Sequence, residues 1–176
     1  MSAIRARQAI SSLPEEQITA DLAAVALHAR GLTGSLQGVS VGGFCWGSQT
    51  FAFAAQQPDL AAAFVFYGTG PASADDVAAI NFPVYGFYGG NDNRVTSTVA
   101  NTAAAMESAG KFFAPVIYEG AGHGFMRSGE EANAAQANRD GHDQGWGRWL
   151  ELLEAHARDA VSSAVEPVSW GEIKTD

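Results

Sequence analysis

The sequence holds one cysteine in 176 residues, few cations and no long hydrophobic run. A single thiol cannot form an intramolecular disulfide, which suits a reducing compartment and predicts a cytoplasmic protein. Ten Lys and Arg stand against 19 Asp and Glu, for a formal charge of -9 and a pI near 4.7. Nucleic acids and anionic membranes reward clustered cations, so neither is expected as a partner. The start, Met1 to Gln8, has no apolar h-region, and the most apolar stretch is broken at Gln56-Gln57-Pro58-Asp59. No signal peptide and no membrane span are therefore expected. No spacing of histidine and carboxylate resembles a metal site.

What is present reads as one globular domain. Hydrophobic residues make up 47% and charged residues 16%, with no low-complexity tract, at a length that can bury a sizeable core. The body, residues 1–160, alternates helix and strand. Ser12-Leu13-Pro14-Glu15 is a capping-box pattern that opens a helix to about Arg30, ended by Gly31 and Gly34. Gly38 to Phe44 reads as a strand and Trp46 to Gln56 as a helix closed by Pro58. Ala62 to Tyr67 is a continuous apolar run bounded by Gly68, Gly70 and Pro71, the pattern of a buried parallel strand. Pro83 to Tyr88 is another. A helix from Val95 to Ser108 stops at Gly110, and Phe113 to Tyr118 is a fourth strand. A last helix covers roughly Ala132 to Ala157, with Trp146, Trp149, Leu150 and Leu153 spaced to pack on the sheet. Residues 161–176 read as a C-terminal tail whose Trp170 offers a ring for docking. The expected class is α/β: a mainly parallel sheet of about four strands with flanking helices.

In such sheets reactive groups gather at the carboxyl ends of the strands. The first strand delivers Cys45 within Val41-Gly42-Gly43-Phe44-Cys45-Trp46-Gly47, a small-x-nucleophile-x-small pattern between strand and helix. Small neighbours let the apex residue take the strained conformation of a nucleophile elbow. The third strand delivers Asp92, in Tyr88-Gly89-Gly90-Asn91-Asp92. The fourth delivers His123, in Glu119-Gly120-Ala121-Gly122-His123-Gly124-Phe125. Nucleophile, acid and histidine stand in the chain order of the α/β-hydrolase triad. A thiol of ordinary pKa needs an imidazole to take its proton, and the imidazole needs a carboxylate to fix its tautomer. The Trp46 amide, at a helix N-terminus just after the nucleophile, is the expected oxyanion donor. Singly, each residue has a plainer reading: cysteine as a small hydrophobe, Asp92 as turn chemistry. His28, His142 and His156 read only as solvent-facing or locally bonded helix residues.

Together, Gly43-Phe44-Cys45-Trp46-Gly47, Tyr67-Gly68, the Asp92 turn and the run from Tyr118 to Phe125 resemble the dienelactone hydrolase family, from about Asp21 to Leu153. The resemblance implies a triad of Cys45, Asp92 and His123. It also implies substrate contacts at Tyr67 and at Arg127, the latter matching the family arginine that helps hold a substrate carboxylate. The implied activity is cofactor-free opening of an ester or lactone, carboxylated in the family, through an acyl-thioester. Ser48 stands where the family often has a second glycine. Family members also carry an N-terminal half-sheet bearing a second oxyanion amide, an activating glutamate and another arginine, with no counterpart here. The chain is thus expected to be the C-terminal half of an α/β-hydrolase fold, with an open sheet edge that favours self-association or pairing. Two other functions are compatible with the sequence: a non-catalytic binding or interaction module, and a glutamine-amidotransferase-like enzyme. The second of these usually has a carboxylate two residues after its histidine, where this chain has Phe125.

Overall fold

A computed structural model describes residues 9, 12–35 and 38–164, the last six by backbone alone. Helix α1 spans Glu15–Arg30. It does not begin with the expected capping box. Ser12 Oγ donates instead to the Ala9 carbonyl at 2.9 Å, and Pro14 is the N-cap residue with extended backbone. Proline has neither a side-chain acceptor nor an N–H, so no reciprocal box can form on it. Glu15 and Glu16 still place negative charge in the first turn, where the helix dipole favours it.

Four parallel strands follow, β1 (Val39–Phe44), β2 (Leu60–Phe66), β3 (Val84–Gly89) and β4 (Phe113–Tyr118), in the spatial order β1-β2-β3-β4. Between and after them lie α2 (Gly47–Ala55), α3 (Ala74–Ala79), α4 (Asn93–Thr96), α5 (Val99–Ser108), α6 (Phe125–Ser128) and α7 (Gln136–Ala164). Strand β2 is buried almost throughout, and its alternate side chains serve two cores, as the period-2 geometry of a strand requires. Ala63 and Val65 pack with Phe51, Ile80, Val84 and Met106 on one face. Phe64 and Phe66 pack with Phe87, Tyr118 and Phe125 on the other. Helices cover both faces, which is why these strands read as apolar runs.

Three boundaries differ from the sequence reading. The helix expected from Val95 to Ser108 is two helices, because the hydroxyls of Thr96 and Thr98 bond to the Gly89 and Val95 carbonyls and divert the chain between them. Short α3 was not anticipated, although Ser73 and Asp76 form a reciprocal capping box at its start. Helix α7 starts later and runs longer than expected, so the first residues of the 161–176 tail are helical. Trp170 lies outside the described residues. On α7 the row facing the sheet is Trp149, Leu152 and Leu153. Leu150 and Trp146 are exposed, since Leu150 is one step round the helix and Trp146 overhangs the row, its ring edge-on to Trp149.

Arg148 secures that packing. Its guanidinium donates to the Gly86 carbonyl at 2.9 Å and the Ala114 carbonyl at 2.7 Å and lies over the Phe87 ring. Strand β1 pairs only with β2 among the described residues, and Phe44 and Trp46 beside that edge are exposed. Among the described residues no helix is long and apolar enough to cross a membrane.

Candidate active site

The elbow is built by close approach. Cys45 sits at the apex with φ +66°, a left-handed conformation that costs a non-glycine residue energy. Its N–H donates to the Phe66 carbonyl at 3.0 Å, extending the β1–β2 ladder to the apex itself. A Cβ on Gly43 would overlap Thr50 Oγ1, the hydroxyl that donates to the Trp46 carbonyl at 2.7 Å. Gly47 lies against the main chain of Gly68 and Thr69. The two glycines flanking Cys45 are therefore there for space.

Asp92 and His123 lie on neighbouring loops that are bonded to one another. Gly90 N–H donates to the Tyr118 carbonyl at 2.8 Å and Asn91 N–H to the Ala121 carbonyl at 2.9 Å. The Asn91 side-chain amide donates to the Gly120 carbonyl at 3.1 Å. Gly89 has no side chain where a Cβ would lie 2.6 Å from the Ala121 oxygen, so the β3 and β4 loops can touch. Asn138 on α7 accepts from Gly122 N–H at 2.8 Å and fixes the turn just before His123.

These supports bring three side chains into line. His123 Nδ1 is 2.5 Å from Asp92 Oδ2, and His123 Nε2 is 3.2 Å from Cys45 Sγ. The Asp92 side chain is 7% exposed and the imidazole 38%, so the carboxylate is covered while the ring reaches the surface beside the exposed thiol. Tyr67 lies edge-on to the imidazole, ring centres 5.2 Å apart. It too has a positive φ, +39°, and its N–H donates to the Phe87 carbonyl at 2.7 Å. The Trp46 amide has no hydrogen-bond partner among the described residues.

Burial pushes the Cys45 thiol above its ordinary pKa, with a smaller upward push from Asp92, while Arg127 and then Arg94 pull it down. The resting sulfur is therefore held as a thiol. Burial, assisted by Cys45, also raises Tyr67 far above the ordinary phenol value and keeps it protonated.

The model of the Dienelactone hydrolase family matches residues 2–157. The chain belongs to the dienelactone hydrolase family. It is 33% identical over 158 residues to an Escherichia coli K12 protein named "Putative carboxymethylenebutenolidase", covering 84% of this chain and 57% of that one. A Salmonella typhimurium protein of the same name is 32% identical, with 81% and 55% covered. Among solved structures, a "Putative Dienelactone Hydrolase" from Klebsiella pneumoniae superposes with a TM-score of 0.68 at 30% identity, covering 81% of this chain and 62% of that chain. The chain thus spans a little over half the length of the curated relatives it matches, and the sheet it contributes is that of the α/β-hydrolase fold.

Every residue the sequence singled out lies at this one end of the sheet. His123 touches Asp92, Cys45 and Tyr67, Trp46 is the N-cap residue of α2, and Arg127 lies on α6 just beyond His123. Sequence reasoning missed the bracing roles of Asn91 and Asn138. Two of the remaining histidines are neither solvent-facing nor locally bonded but tie α7 to other elements, His142 to the Met126 carbonyl on α6 and His156 to the Tyr85 hydroxyl on β3, while His28 is exposed as expected.

Proposed function

We propose that this dienelactone hydrolase family member opens ester or lactone bonds through an acyl-thioester on Cys45. As Sγ attacks the carbonyl carbon, His123 Nε2 takes the thiol proton, and Asp92 holds Nδ1–H and steadies the imidazolium. The tetrahedral oxyanion accepts a hydrogen bond from the Trp46 amide. Collapse breaks the carbon–oxygen bond, and the leaving alkoxide takes the proton from His123. In a lactone that alkoxide stays on the acyl chain. Water, deprotonated by the same imidazole, then attacks the thioester, and the thiolate leaves and is reprotonated.

The observation that carries this reading is the unbroken contact chain from Asp92 Oδ2 through both ring nitrogens of His123 to Cys45 Sγ. It is tested by mixing the protein with a neutral aryl ester and following chromophore release and intact mass together. The expected result is a burst of alcohol with one acyl group added to the chain, both absent in Cys45→Ala. Equal turnover by that variant would overturn the proposal.

A further inference from the structure

The segment that carries His123 is caught by α7 at two points. Asn138 Oδ1 accepts from Gly122 N–H, one residue before His123. His142 Nδ1 lies 2.8 Å from the Met126 carbonyl, three residues after it. A carbonyl only accepts, so Nδ1 carries the hydrogen of that bond. Asn138 and His142 are four residues apart and therefore share one face of α7. Gly141 lies between them, where a Cβ would crowd Ala121 and Phe125, so this face fits closely against the residues on either side of His123.

The Met126 carbonyl needs that donor. Helix α6 is a single turn, and the N–H groups that close it are taken up by the carbonyls on either side of Met126: Gly129 donates to Phe125 and Glu130 to Arg127. No backbone N–H among the described residues reaches the carbonyl of buried Met126, and the imidazole supplies what the turn itself lacks. The ring is held in place for this. Its side chain is 15% exposed and lies parallel to the Trp146 ring, centres 6.2 Å apart. The Glu130 carboxylate is 3.9 Å from Nε2, beyond hydrogen-bonding distance, so the Met126 bond is the one that fixes the imidazole.

We infer that His142 is a positioning residue for His123: by holding α6 to α7 it sets how far His123 Nε2 stands from Cys45 Sγ. The inference rests on the ester or lactone hydrolase reading for its meaning in turnover, but not for its test. Cys45 is the only cysteine, so alkylation reports on the sulfur and its imidazole without any ester present. Iodoacetamide reacts with the thiolate, and an imidazole within reach of Sγ favours that form.

His142→Ala should slow alkylation near neutral pH about 3- to 10-fold in protein shown to be folded by its urea transition. His142→Asn, whose amide places a donor where Nδ1 stood, should restore most of the rate. In a His123→Ala background the His142→Ala change should have no further effect, since the imidazole it positions is gone. His142→Gln, whose amide reaches the Nε2 position and misses the Met126 carbonyl, should behave like the alanine variant and replaces it if that chain does not fold. On an aryl ester kcat should fall by a similar factor with KM nearly unchanged. A folded His142→Ala or His142→Gln chain with the wild-type alkylation rate would overturn the inference, as would an equal loss in the His123→Ala background. Failure of the hydrolase reading looks different: no acyl group on wild-type Cys45 from an aryl ester, with the pattern of alkylation rates intact.

Discussion

Gly47 and Gly68 meet main chain to main chain, so that a Cβ on either would overlap the backbone of the other. The first turn of the elbow helix and the loop leaving β2 occupy adjoining space that only hydrogen can fill. Gly47→Ala should cost about 3 kcal/mol of stability by overpacking. Because Gly47 is two residues from Cys45, surviving folded protein should also lose alkylation rate. Urea midpoints and iodoacetamide kinetics measured on the same sample check both effects.

Asp92→Asn separates orientation from nucleophilicity. The amide keeps the shape and can still contact Nδ1, but it does not compensate an imidazolium and it allows the wrong tautomer. Turnover of an aryl ester should fall roughly 10²- to 10⁴-fold with little change in KM. Ester kinetics in which KM alone rises would instead assign Asp92 to substrate binding.

The alkaline limb of stability follows from the raised pKa values. Cys45, ordinarily 9.0, is raised chiefly by burial, and Tyr67, Tyr88 and Tyr118, ordinarily 10.0, are raised in the same way. The folded chain thus holds these protons more tightly than the unfolded chain, which binds fewer of them between the ordinary and the raised values. Stability is full below about pH 9 and falls as pH climbs through that window. Denaturation midpoints from about pH 8 to about pH 11 should decline, and Cys45→Ser should flatten the start of the decline.

Arg148 tests what holds α7 to the sheet. Its side chain spans two strands with two charge-assisted hydrogen bonds and a ring contact. Arg148→Ala should cost about 2 to 4 kcal/mol in urea unfolding, with Arg148→Lys restoring only part because a point charge lacks the fork.

How far the sequence carried depended on the range of the interactions involved. Strands β2 and β3 were legible because burial on both faces leaves an uninterrupted apolar run. The elbow was legible because close approach leaves glycines at fixed offsets from Cys45. The start of α1 was not, since Ser12 and Glu15 satisfy the capping pattern while Pro14 between them decides the geometry. Leu150 has the spacing of a core residue, yet the rotation of α7 is set by Trp149 and Arg148 meeting distant strands.

The bonds from Asn91 to the Gly120 and Ala121 carbonyls have a mechanical meaning. Asp92 and His123 ride on one stitched unit at the ends of β3 and β4, whereas the sulfur is anchored through Phe66 to β1 and β2. The site therefore has a single joint, the gap between Nε2 and Sγ. Any shear between the two strand pairs changes the reach for the thiol proton while leaving the carboxylate–imidazole bond untouched.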